Sequence, residues 1–112
     1  MTEPPAFAVR GELDVAAVPD LEEALEAAIR DSVGAFVVDL TDVAFIDSSG
    51  LQALLRARAL LGREDRALVL VCPHGPVRRV FELAGVSDVF LLYATAEAAL
   101  AELTPRPGPA PA

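Results

Sequence analysis

Short runs rich in branched apolar residues alternate along this chain with segments of helical apolar spacing, four of each, and that alternation constrains the fold first. The opening run, Phe7-Ala8-Val9-Arg10, ends at Gly11. From Pro19 onward Leu21, Ala24, Leu25, Ala28 and Ile29 follow the i, i+3, i+4, i+7, i+8 spacing of an amphipathic helix. Asp20, Glu22, Glu23 and Glu26 occupy its other face and crowd its first turns, where the helix dipole favours acids. Phe36 to Leu40 reads as a buried strand, Thr41 to Asp47 as a loop, and Ser48 to about Leu61 as a second helix with Leu51, Leu54 and Leu55 inward. Leu68-Val69-Leu70-Val71 is continuously apolar, so both faces of that strand are expected to be covered. Pro73 and Gly75 break the chain before a third helix with the stripe Val77, Val80, Phe81 and Ala84, and Gly85 fits its C-terminal cap. Val89 to Leu92 forms the last strand, and Thr95 caps a fourth helix with Ala96, Ala99, Leu100 and Leu103 inward. Strands separated by helical crossovers imply an α/β fold: one mostly parallel sheet of four to five strands, right-handed connections, and about four flanking helices.

A chain of 112 residues has room for one domain. The folded part is expected to span residues 6–104. Pro4-Pro5 marks a disordered N-terminus over 1–5, and four Pro within 105–112 mark a solvated, extended tail. Thirty-seven Val, Leu, Ile, Phe and Met residues suffice for one core. No apolar stretch exceeds the six residues Ala67 to Cys72, so no segment here spans a bilayer as a helix, and Met1 to Pro5 has neither the basic nor the apolar part of a signal peptide. A cytoplasmic location is the expectation.

Charge narrows the partners. The net charge is −8, and residues 1–47 hold eleven acids against two Arg while residues 48–112 hold six acids against seven Arg. That is the wrong sign for nucleic acid or an anionic membrane surface, and the right one for a protein with a basic patch. All nine basic residues are Arg, which excludes chemistry that needs a Lys amine. One Cys and one His cannot build a structural zinc site. His74 lies in a Pro-Gly turn, no Gly-x-Ser-x-Gly elbow exists, and the Asp39, Asp42, Asp47 trio lacks the late Lys of a phospho-aspartate receiver domain. No catalytic residue, cofactor or metal is expected.

Two stretches carry chemistry. Asp47-Ser48-Ser49-Gly50-Leu51 places two hydroxyls where a loop turns into a helix. Ser is a preferred N-cap, so one hydroxyl can simply satisfy an orphan backbone N–H. The same place suits a switch: phosphate at a helix N-terminus meets free N–H groups and the positive dipole end, while its added charge alters what the surface binds. Gly11-Glu12-Leu13-Asp14 reads as a turn in which Asp14 accepts from backbone N–H groups ahead of the first helix. Loops at the same strand ends of a sequential sheet cluster, which brings Asp14 toward Ser48.

These stretches, with Val38-Asp39-Leu40 through Phe45-Ile46-Asp47 and Val77-Arg78-Arg79-Val80-Phe81-Glu82-Leu83-Ala84-Gly85, stand in the order and spacing of a known family. Over residues 7–103 the chain resembles a STAS domain, and specifically the bacterial anti-sigma-factor antagonists. The resemblance implies that Ser48 is phosphorylated by a partner anti-sigma factor that is itself an ATP-dependent serine kinase. It implies further that the unphosphorylated chain binds this kinase and frees a sigma factor in a stress response, and that a PP2C-type phosphatase reverses the modification. Asp14 then lies at the kinase-binding surface, and Asp47, Ser49 and Gly50 shape the ground around Ser48. Two departures stand out: the edge strand that usually precedes Gly-Glu-Leu-Asp is shortened or absent, and Gln52 stands where Gly is common. The alternative within the family is a STAS subunit that is never phosphorylated, in an ABC-type lipid transporter or a stress-sensing assembly. Arg56, Arg58, Arg63 and Arg66 read as a solvated face ahead of a set that pairs with a partner's acids, Cys72 as a small packed apolar group, and Leu83 and Phe90 as core ahead of an exposed apolar contact patch.

Overall fold

A computed structural model of the chain describes residues 6–103; the expected tails at 1–5 and 105–112 lie outside the described residues. Eight elements alternate: β1 (Ala6–Leu13), α1 (Val18–Arg30), β2 (Phe36–Ile46), α2 (Ser48–Gly62), β3 (Leu68–Val71), α3 (Pro76–Leu83), β4 (Leu91–Tyr93) and α4 (Ala96–Leu103). The strands pair in parallel in the order β1-β2-β3-β4.

That sequential order dictates where the helices go. Each right-handed crossover that steps onward in the same direction lays its helix on the same face of the sheet. Leu25 and Ile29 of α1, Leu54 and Leu61 of α2, and Phe81 of α3 accordingly share one core with Val38, Leu40, Leu68 and Leu70. The opposite face is covered by α4, whose Ala99 meets Val37, Val69 and Val71. β3 is thus buried on both sides, as its unbroken apolar run predicts.

β2 runs six residues further than the sequence pattern indicates, through the segment expected as a loop. The reason is a pair of bulges. Pairing passes from Ala8↔Asp39 to Arg10↔Asp42 and from Gly11↔Val43 to Glu12↔Phe45, and each time β2 carries one extra residue. Core-facing positions therefore fall at 36, 38, 40, 43 and 46, and the two three-residue steps erase the alternation by which a strand is recognised. Asp39 holds the first bulge, accepting from the Thr41 N–H at 2.9 Å and from its hydroxyl. β1 likewise continues past Gly11, which takes φ +84° at the second register shift, a conformation that favours glycine.

The helix stripes are narrower than expected, since Ala24 and Ala84 are exposed. Gly85 closes α3 as expected: its φ is +73°, its N–H donates to the Glu82 carbonyl at 3.1 Å, and the Val86 N–H donates to the Phe81 carbonyl at 3.1 Å. Thr95 Oγ1 accepts from the Ala98 N–H at 3.1 Å, the expected cap of α4. Phe90 is core, edge-on to Phe81 with ring centroids 5.5 Å apart, whereas Leu83 is 76% exposed and not core. Cys72 is buried at the end of β3, and burial pushes its thiol pKa above the ordinary value against the opposing pull of Arg78.

The Arg residues divide. Arg56 pairs with Glu22 across the α1–α2 groove at an exposed site, where such pairs contribute little. Arg66 corrects the solvated-face reading. Its side chain is 8% exposed, and it donates to the carbonyls of Ile29 (2.9 Å) and Gly34 (2.7 Å) and to the Ser32 hydroxyl (2.7 Å). The guanidinium fork thereby satisfies the C-terminus of α1 and the turn that leads into β2.

Candidate functional site: the β1 and α2 junction

The sheet brings two chain segments to one corner. β1 and β2 end in register, Leu13 opposite Ile46, so Asp14 and Asp47 are the first residues past a paired position on adjacent strands. The Asp47 N–H donates to the Leu13 carbonyl at 3.2 Å and ties the two strand ends together. β3 stops at the level of Asp39, five β1 residues or roughly 17 Å short of this corner. His74, beyond β3, shares a small cavity with Leu40, Thr41 and Val43 rather than with Ser48.

Asp47 is the N-cap of α2. Its backbone is extended (φ −115°, ψ −173°), and its carboxylate Oδ1 accepts from the N–H groups of Ser49 at 2.9 Å and Gly50 at 3.1 Å. The capping role open to a serine on sequence grounds therefore belongs to the aspartate. Ser48, the first helical residue, is exposed, and among the described residues its hydroxyl makes no hydrogen bond. Ser49 is half-buried and Gly50 buried.

Gly50 sits where α2 comes closest to β1. A Cβ there would lie 2.6 Å from the Leu13 carbonyl oxygen, 2.8 Å from Ile46 Cγ1 and 3.0 Å from Leu13 Cβ. Only a residue without a side chain lets the helix start so near the strand end, and that approach sets Ser48 beside the β1 terminus. Asp14 closes the turn after β1, as expected. Its Oδ1 accepts from the Ala17 N–H at 3.0 Å, and its carbonyl accepts from the N–H groups of Ala17 (3.0 Å) and Val18 (3.1 Å).

The five residues singled out in the sequence, Asp14, Asp47, Ser48, Ser49 and Gly50, thus belong to one corner. Their chemistry is that of an exposed hydroxyl on the positive end of a 15-residue helix, at a corner that also holds the Asp14 and Asp47 carboxylates. Two neighbours escaped the sequence reading: Val15, 71% exposed, and Phe45, 47% exposed. No local signal marked Phe45: only the bulges, which set Val43 and Ile46 into the core, leave Phe45 to point away. Among the described residues no group of three His, Cys, Asp or Glu side chains is placed to hold a metal ion, and no helix is long and apolar enough to cross a membrane.

Residues 2–99 match the STAS domain family. The anti-sigma-B factor antagonist of Staphylococcus aureus is 35% identical over 81 residues, which cover 72% of this chain and 75% of that protein. The crystal structure of an anti-sigma factor antagonist from Mycobacterium paratuberculosis superposes with a TM-score of 0.81 at 34% identity, covering 91% of this chain and 86% of the other. The Bacillus cell fate determinant SpoIIAA is similar in both of its forms. The unphosphorylated structure gives a TM-score of 0.73 at 27% identity (91% and 90% covered), and the phosphorylated one 0.66 at 25% (93% and 94% covered).

Proposed function

Because the chain belongs to the STAS domain family and its relatives are named anti-sigma-factor antagonists, we propose that it is an antagonist of that kind, a binding switch set at Ser48. In the unphosphorylated state the corner of Asp14, Asp47, Ser48, Ser49 and Gly50 docks onto a serine-kinase anti-sigma factor, which then releases its sigma factor. Transfer of a phosphoryl group from ATP to the Ser48 hydroxyl ends that contact, and a PP2C-type phosphatase restores it. The chain is a substrate in this cycle and performs no catalysis of its own; it acts in the cytoplasm.

The observation that carries this reading is the division of labour at α2. Asp47 caps the helix, so the Ser48 hydroxyl is exposed and unengaged. A kinase reaches it without unmaking a cap, and the phosphate it leaves meets the helix N-terminus. Its charge of about −1.5 to −2 then sits near Asp14 and Asp47, where it burdens the apolar part of the contact with the cost of desolvating a phosphate. The phosphorylated and unphosphorylated structures of SpoIIAA support the analogy at the level of fold.

The test uses immobilised wild type, Ser48→Ala and Ser48→Asp with lysate of the source organism, and identifies what each retains by mass spectrometry. A serine-kinase anti-sigma factor retained by wild type and Ser48→Ala but not by Ser48→Asp, with phosphate mapped to Ser48 when ATP is added to wild type, is the expected result. Equal retention of the same partners by all three, with Ser48 unmodified, overturns the switch and favours the transporter or assembly subunit.

A further inference from the structure

The corner around Ser48 carries apolar surface that neither the fold nor the phosphorylation chemistry requires. Phe45 and Glu12 are register partners on the face of the sheet opposite α1, α2 and α3, one residue before the core-facing pair Ile46 and Leu13. α4 covers that face only over Val37, Val69 and Val71, so Phe45 stays 47% exposed. Val15, 71% exposed, follows Asp14 in the turn. Ser48 is three residues past Phe45, a span of at most about 11 Å. Val15 is two residues past Leu13, whose carbonyl accepts from the Asp47 N–H. Phe45 and Val15 therefore lie close along the chain to the Ser48 corner, one on each of the two segments that build it. Around them stand Glu12, Asp14, Asp42 and Asp47, against the single Arg10.

We infer that Phe45 and Val15 are the apolar anchors of the Ser48 interface, and that they fit a partner surface with apolar pockets rimmed by Arg or Lys. The inference rests on the antagonist reading above and commits to its occupant, the serine-kinase anti-sigma factor. Charge selects this class of partner: four carboxylates around two apolar side chains repel an acidic surface and attract a basic one. Large side chains at the centre of an interface dominate its affinity once water is excluded, whereas rim charges act mainly on the rate of encounter. Anchoring and switching thus occupy different residues. The anchors hold the partner in the unphosphorylated state, and phosphate placed at the same corner opposes the dry contact that they need.

The experiment measures binding of the purified anti-sigma factor, the kinase retained by Ser48→Ala, to wild type, Phe45→Ala, Val15→Ala, Glu12→Gln and Ser48→Asp by surface plasmon resonance. Phe45→Ala is expected to weaken binding roughly tenfold or more, mostly through faster dissociation, and Val15→Ala by less. Glu12→Gln is expected to slow association and leave dissociation nearly unchanged. Thermal melts matching wild type, together with a conservative Phe45→Leu that recovers most of the affinity, separate anchoring from misfolding. Binding lost in Ser48→Asp but unchanged in Phe45→Ala and Val15→Ala overturns the anchors and leaves the switch standing. Wild-type affinity in Ser48→Asp overturns the switch itself, and a lysate that yields no such kinase overturns both.

Discussion

With a Cβ at Gly50 placed 2.6 Å from a backbone oxygen, an added methyl group has nowhere to go unless α2 moves off β1. Gly50→Ala gains about 1 kcal/mol of helix propensity and loses about 2–3 kcal/mol to overpacking, so a net destabilisation of about 1–2 kcal/mol is expected in urea unfolding. An increase in stability would mean that the helix start yields easily. The two residues before it separate cap from switch. Asp47→Ala removes the acceptor for two backbone N–H groups and is expected to cost about 0.5–2 kcal/mol, whereas Ser48→Ala removes a hydroxyl without partners and should stay within about 0.5 kcal/mol of wild type. Comparable losses in the two variants would return the capping role to the serine. Asp47 was legible in the sequence as a neighbour of the motif, but which of three adjacent polar residues caps the helix depends on backbone geometry that composition does not encode.

Between α1 and β2 the chain turns with the help of a residue 37 positions away from its acceptor, Arg66 on Ile29. Arg66→Ala leaves the Ile29 and Gly34 carbonyls without their charged donor, at an expected cost of about 2–3 kcal/mol in chemical denaturation. Arg66→Lys keeps the charge but not the fork, and should recover less than half of the loss. Full recovery by Lys would show that charge alone matters there. An Arg in a polar stretch reads as surface in any sequence, because nothing local distinguishes a donor aimed at a distant helix end from one aimed at water. β2 makes the same point in reverse. Its bulges are local, yet they hide the strand, since recognition relies on an alternation that an extra residue interrupts.

Across the whole molecule the charge is as uneven as the sheet is regular. The sequential parallel order places the acid-rich first half, β1, α1 and β2, at one side of the sheet, next to the Ser48 corner. Association with a basic partner is therefore expected to slow roughly tenfold or more between about 0.05 M and about 0.5 M salt, while dissociation changes little. Association that ignores salt, followed by stopped flow, would remove electrostatic steering from the account. The order and type of the elements, and the coincidence of a hydroxyl pair with a helix start, were determined by the sequence itself, because periods of 2 and 3.6 residues and the preferences of caps are properties of short segments. The close packing of Gly50 on Leu13, the reach of Arg66 to the end of α1, the length of β2 and the exposure of Phe45 were decided only by the tertiary structure. Each depends on which strand pairs with which, and at what register, and such pairings join residues that are distant along the chain.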